Sequence, residues 1–257
     1  MFYVSRNMAN SALIQTPVAI IVGASSGIGE ALARKYAKEG YQVALLARRA
    51  ERIEKLAAEL GADRARAYPH DVTQTAEAAP LFQRILADFG RVDVLIYNSG
   101  LLVPVGLNEF NFEKDRQMVE VNVLGALAWL NPAAQLFEAQ QSGCLIGISS
   151  VAGDRGRVGA PAYNTTKAAL STYLEALRNR LTRKGVHVLT VKPGFVATEM
   201  LKNSPRTFWV ISPEQAAKDV YDAMRAHKQE IYTPARWGLL MFIIRNLPSF
   251  IFRRLKF

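Results

Sequence analysis

Tyr163 and Lys167 stand four residues apart, a spacing that puts both side chains on one face of a helix, one turn from each other. Both can therefore act on one bound atom. A phenol with an ordinary pKa of about 10 is a poor acid or base at neutral pH, but a neighbouring ammonium favours the phenolate and draws that value down. Lys167 is expected to be that ammonium. Ser150 lies thirteen residues before Tyr163, after an apolar run from Cys144 to Ile148, and its hydroxyl can steady a carbonyl oxygen. The Tyr-x-x-x-Lys pair alone is a weak signal, because a solvated lysine beside a half-buried tyrosine gives the same pattern. The elements around it must supply the context.

The first such element is a β-branched run, Val18 to Val22, followed by Gly23-Ala-Ser25-Ser26-Gly27-Ile28-Gly29 and then an apolar stripe of Ile28, Leu32 and Tyr36. Strand, glycine turn and helix in that order suit a dinucleotide, whose pyrophosphate approaches the backbone closely and rests on the N–H groups of a helix N-terminus. A second strand, Gln42 to Ala47, runs into Arg48 and Arg49, with no acid between Tyr41 and Ala50. An acid near this point would read the ribose 2′-hydroxyl of NAD, whereas arginine accommodates the 2′-phosphate of NADP. The expected cofactor is NADP(H).

The pattern then repeats. Helix Ala50 to Leu60, strand Arg64 to Tyr68, helix Thr75 to Phe89, strand Val92 to Tyr97, a long helix from about Asn111 to Glu138, and strand Cys144 to Ser149 follow one another. After the helix carrying Tyr163 come strand His187 to Lys192, helix Pro213 to Ala226 and strand Glu230 to Thr233. Strands alternating with helices imply an α/β fold with a doubly wound, parallel Rossmann-type sheet of about seven strands. Right-handed crossovers gather Gly23, Arg48, Asp71, Asn98 and Ser150 at one edge of that sheet. The loop from Phe195 to Ile211 is long and lies at the same edge, so it reads as a substrate flap.

With these residues in place, the chain resembles the classical short-chain dehydrogenase/reductase family from about Pro17 to Thr233. The resemblance is carried collectively and in order by VGASSGIG (22–29), HDVT (70–73), NSG (98–100), VNVLG (121–125), ISS (148–150), YNTTK (163–167) and KPGFVAT (192–198). It implies that Asp71 and Val72 contact the adenine and that Asn98 and Gly100 lie beside the cofactor. Pro193, Gly194, Val196 and Thr198 would line the nicotinamide, with Val196 and Thr198 on its amide. Asn122 would join Ser150, Tyr163 and Lys167 in a catalytic tetrad, with Lys167 on the nicotinamide ribose. Val22 and Ser99 depart from the usual Thr and Ala at positions that brace the cofactor loop. SSVAGDRGR, KPGFVATEM and the tail also look, more loosely, like the reductases of lipid-linked keto-sugars.

A chain of 257 residues with half of them hydrophobic and 21% charged suits one sizeable α/β domain. It reads as a loose arm (1–16), a single core (17–235) and a C-terminal extension (236–257). A single cysteine and no apolar leader fit a cytoplasmic protein. The net charge is +10, yet the stretch from Ile231 to Phe257 holds Arg236, Arg245, Arg253, Arg254 and Lys256 and no acid. That concentration argues against nucleic acid, which needs basic residues across a folded face. The apolar run from Trp237 is broken by Arg245 and Pro248, too short to span a bilayer. It suits either a packing or homodimer or homotetramer element, or an interfacial anchor on anionic lipid. The leading expectation is a carbonyl reductase, reversible as an alcohol dehydrogenase, for a hydrophobic or lipid-borne small molecule. The alternatives are a 3-oxoacyl-carrier-protein reductase and a non-catalytic NADPH sensor.

Overall fold

The computed structural model describes residues 16–203 and 207–255. The arm expected at 1–16 lies outside the described residues except for Thr16. Seven parallel strands form one sheet in the order β3-β2-β1-β4-β5-β6-β7. They are β1 (Val18–Val22), β2 (Gln42–Ala47), β3 (Ala65–Pro69), β4 (Val94–Tyr97), β5 (Cys144–Ile148), β6 (His187–Pro193) and β7 (Glu230–Thr233).

Both faces of the sheet are covered at its centre, so β1, β4 and β5 are buried along their whole length, whereas the edge strands β3 and β7 carry exposed positions. Ala19 and Ile21 of β1 enter one core with helices α1 (Gly27–Lys38), α2 (Ala50–Leu60) and α7 (Pro213–Arg225). Ile20 and Val22 point the other way, into a core with α3 (Thr75–Phe89), α5 (Gly125–Gln140) and α6 (Pro161–Leu181). Strand order reverses direction between β1 and β4, and the crevice at such a switch point is where open α/β sheets bind ligands.

The single helix expected from Asn111 to Glu138 is instead α4 (Phe112–Val119), a π-helical turn (Glu120–Leu124) and α5. Asn122 sits in the widened turn, fully buried. Other boundaries differ from expectation by one or two residues, because a strand ends where its ladder partner ends, and only the three-dimensional pairing sets that.

Beyond β7 come α8 (Arg236–Asn246) and α9 (Ser249–Phe252). Trp237, Met241 and Ile244 are buried against Val151, forming a third apolar cluster with Phe195, Tyr232 and Phe252 at its edge. Gly194 permits this approach, since a Cβ there would lie 1.9 Å from the Trp237 Nε1. Arg155 Nη1 donates to the carbonyls of Ile244 at 2.5 Å and Leu247 at 2.6 Å, closing the C-terminal end of α8. Three residues of the extension are thus core packing, and Trp237 is unavailable to a lipid surface. Leu239, Phe242, Ile243, Phe250 and Ile251 remain exposed. No helix among the described residues is long and apolar enough to cross a membrane.

Candidate active site

One cavity of about 530 Å³ opens at the carboxyl ends of the strands. Its far end is built from the turn after β1. Gly29 packs so tightly that a Cβ would come within 1.9 Å of the Gly23 carbonyl oxygen, and Gly23 itself has φ +96°, which favours glycine. Asn98 braces the turn by donating from Nδ2 to that same carbonyl at 2.9 Å. The N-cap of α1, Ser26, has extended backbone and makes no side-chain cap, so the first-turn N–H groups keep their capacity to bind an anion.

Arg49 ties this turn to the end of β2. Its Nε and Nη2 donate to Ser25 Oγ at 3.1 and 2.9 Å, and Nη2 donates to Ser26 Oγ at 2.5 Å. Its Nη1 donates to Glu199, which also accepts from Arg52. The Arg52 and Arg49 bonds hold the Glu199 carboxyl down at about 2. Arg48 is more open, with a long 3.8 Å ion pair to Asp71. Asp71 caps its own turn, accepting from Thr73 N and Oγ1. Gly23, Ser25, Ser26, Gly27, Ile28, Arg48, Arg49, Val72, Asn98, Gly100, Pro193, Gly194, Val196 and Thr198 all line the cavity. Asp71, Gly29 and Asn122 do not, and act from behind it.

The near end gathers Ser150, Tyr163 and Lys167 from β5 and α6. Pro161 at the start of α6 pre-sets its first turn, and the helical spacing brings Lys167 Nζ 5.8 Å from the centre of the Tyr163 ring. Lys167 Nζ donates to the Ile148 carbonyl at 2.9 Å, and burial pulls its pKa down to about 8. Ser150 Oγ accepts from Ala152 N at 3.0 Å.

The expected depression of the phenol by Lys167 is not met. Desolvation pushes Tyr163 up, and the opposing influences are Ser150 and Arg157. The Lys167 ammonium is directed instead to the Ile148 carbonyl. Asn122 is satisfied at both ends: Oδ1 accepts from Leu101 N at 2.7 Å, and Nδ2 donates to Leu101 O at 2.9 Å and Thr166 Oγ1 at 3.0 Å.

The flap expected over Phe195 to Ile211 is pinned at its neck, where Ala197 N donates to Ile211 O and Ile211 N to Phe195 O, both near 3 Å. A 3₁₀ turn (Glu199–Asn203) follows, bringing Met200 Sδ 3.9 Å from the Tyr163 hydroxyl. Residues 204–206 of this loop lie outside the described residues. Phe195, Phe208, Trp209 and Trp237 pack together with ring centres 5.0–5.7 Å apart. Sequence reasoning missed Glu199, Met200 and Arg157 at this cavity; the Asp154-Arg-Gly-Arg157 charge run beside Ser150 was the available signal for the last.

The chain belongs to the short chain dehydrogenase family, whose model matches residues 17–208, and it is accordingly an oxidoreductase. An uncharacterized oxidoreductase of Staphylococcus epidermidis is 31% identical over 193 residues, 75% of this chain and 84% of that relative. One of Staphylococcus aureus is 31% identical over 212 residues, covering 82% and 92%. Among solved structures, a short-chain dehydrogenase from Sphingobium yanoikuyae in complex with NADPH superposes with a TM-score of 0.77 at 25% identity, over 91% of this chain and 97% of that one. An alcohol dehydrogenase from the archaeon Thermococcus sibiricus, complexed with 5-hydroxy-NADP, gives 0.76 at 28% identity over 84% and 95%.

Proposed function

We propose that the protein is an NADP(H)-dependent carbonyl reductase, reversible as an alcohol dehydrogenase. The observation that carries the reading is the sharing of one cavity by the Ser150, Tyr163 and Lys167 side chains and by the uncapped glycine turn with its two arginines. The tight Gly23–Gly29 cradle and the open N-terminus of α1 fit a pyrophosphate, and Arg48 and Arg49 at the end of β2 fit a 2′-phosphate. NADP-bound neighbours of the same fold support the same choice.

When bound, the cofactor supplies the hydride that reaches the carbonyl carbon. Tyr163, whose raised pKa keeps it protonated at neutral pH, gives its proton to the carbonyl oxygen, turning C=O into CH–OH. Ser150 donates a hydrogen bond to that oxygen. Lys167 holds the cofactor ribose and restores the phenol's proton, while Asn122 fixes the π-helical turn against Leu101 and so holds α6 in place. NADPH consumption with a panel of ketones and 3-oxoacyl thioesters tests this; a preference for carrier-bound thioesters selects the 3-oxoacyl reductase, and cofactor binding without turnover of any of them rejects the enzyme reading.

The substrate side is apolar, with Leu101, Leu102, Val151, Phe195 and Met200 on its walls, which suits a hydrophobic or lipid-borne ketone. The exposed apolar faces of α8 and α9, beside Arg253 and Arg254, support peripheral attachment to anionic membrane. Co-sedimentation with phosphatidylserine vesicles at low salt should capture the wild type and not a Phe242→Ser/Phe250→Ser variant. Equal recovery of both would assign the faces to another role.

A further inference from the structure

The segment Asp154-Arg155-Gly156-Arg157 follows the strand end that bears Ser150, and two of its three charges have structural duties. Asp154 Oδ1 is 2.8 Å from Lys192 Nζ, and Asp154 Oδ2 accepts from Tyr232 Oη at 2.7 Å. Arg155 closes the end of α8 and lies over the Phe252 ring. Arg157 differs. Its guanidinium makes no hydrogen bond or ion pair with any described residue, and its Nε is buried without a partner.

Arg157 lines the cavity beside Tyr163, near enough for the two charges to act on each other. Burial lowers its affinity for its proton, the mark of a charge partly withdrawn from water. The loop that carries it is fixed from α6, where Asn164 Nδ2 donates to the Arg157 and Gly159 carbonyls at 3.3 and 3.2 Å. Among the described residues the one carboxylate on the cavity wall, Glu199, is bound to Arg49 and Arg52 at the cofactor end. The near end is therefore positive and lacks an internal anion. A buried polar group without a partner calls for a ligand that completes it, and a guanidinium fork matches a carboxylate or phosphate.

Resting on the reductase reading above, we propose that Arg157 is a specificity-determining residue: the substrate is a ketone that carries a carboxylate or phosphate, bound by the Arg157 guanidinium, with its apolar remainder against Leu101, Leu102 and Phe195. The anionic group then anchors the molecule within reach of the Tyr163 hydroxyl.

The test is calorimetric titration of the full chain, with and without NADP⁺, using octanoate, octyl phosphate and octanol as probes. The wild type should bind one or both anions more tightly than octanol, and the better anion identifies the group. Arg157→Met, which keeps the stem, should lose about 10- to 100-fold in anion affinity, the range for one charge-assisted contact, and keep its octanol and NADP⁺ affinities. Arg157→Lys should retain part of the anion preference. Equal binding of anions and alcohol by the wild type, or an equal loss of both in Arg157→Met with melting temperature unchanged, overturns the proposal. Failure of NADP⁺ to bind would instead remove the reductase reading, while the comparison of anions with octanol still stands by itself on the cofactor-free chain.

Discussion

Replacing Lys167 by methionine should raise the stability of the cofactor-free protein at neutral pH while removing its turnover. The Lys167 ammonium is buried, and burial pulls its pKa from the ordinary 10.5 to about 8. Each unit of that shift corresponds to about 1.4 kcal/mol, so the charged lysine costs the fold on the order of 3 kcal/mol where both folded and unfolded states are protonated. The bond to the Ile148 carbonyl is lost in the variant and offsets about 1 kcal/mol of the gain. The net stabilisation is about 2 kcal/mol, or roughly 4–8 °C in melting temperature for a chain of this size. Its pH dependence has a definite sign. Between the folded value and the unfolded value of 10.5 the unfolded state binds more protons, so wild-type stability rises with pH there, and the advantage of methionine fades across that window. Thermal melts of both proteins between pH 7 and pH 10.5 measure this. A variant less stable than wild type at pH 7, or an advantage that does not shrink on going alkaline, refutes the picture of Lys167 as a strained buried charge.

Tyr163→Phe should fold and bind NADPH as wild type but lose at least about 100-fold in turnover of any substrate found, as loss of a general acid requires; stopped-flow single turnovers give the number. Because burial raises the phenol, ketone reduction should hold its rate through neutral pH and fall on the alkaline side, while alcohol oxidation, which needs the phenolate, should climb over the same range; pH–rate profiles that run the other way dismiss Tyr163 as the proton carrier. Fluorescence titration should find NADPH bound more tightly than NADH, with Arg48→Ala and Arg49→Ala each losing about 1.5–3 kcal/mol toward NADPH; equal affinities for the two cofactors in the wild type would show that neither arginine meets a 2′-phosphate. Asp154→Asn should destabilise by about 1.5–3 kcal/mol in urea, because it strips one of two carboxylates from the buried Lys192 and leaves Glu230, whereas Asp222→Asn, breaking the exposed pair with Lys218, should cost under about 0.5 kcal/mol.

What could be read from the sequence was whatever a backbone or a helical repeat demands locally. Gly23 and Gly29 were legible because only a missing Cβ fits their positions, and Tyr163 and Lys167 because four residues make one turn. The central strands β1, β4 and β5 announced themselves through continuous apolar runs, since both sheet faces are covered there, while the edge strands β3 and β7 were read from the alternation of elements. The π-helical turn at Asn122 left no such mark: the apolar residues on both sides of it read as one long helix, and the bonds that hold Asn122 run to Leu101, twenty-one residues away, and Thr166. Trp237 was equally opaque, because an aromatic in a basic tail looks the same whether it meets lipid or Gly194. Arg157 hid in a charge run that resembles a solvated loop, and only its neighbours' pairing reveals that it has no partner of its own.

The C-terminal extension and the catalytic loop are one mechanical unit. Arg155 grips the carbonyls that end α8, Asp154 reaches Lys192 at the end of β6 and Tyr232 in β7, and Trp237 fills the space that Gly194 leaves beside Val151. Apart from the Asp154–Lys192 pair, these contacts join the stretch between Ser150 and Tyr163, or the strand that precedes the flap, to residues that lie beyond the match to the family model, which ends at residue 208. Val151 and Phe195, on the substrate side of the cavity, are therefore backed by the segment that follows β7, whereas the glycine turn and Arg49 are braced from within residues 17–208. A change at Met241 or Ile244 that leaves the fold intact should then act on the affinity for the carbonyl compound and leave the affinity for the dinucleotide alone, because these side chains pack in the cluster with Val151, whereas Trp237 of the same helix packs on Gly194 at the nicotinamide end.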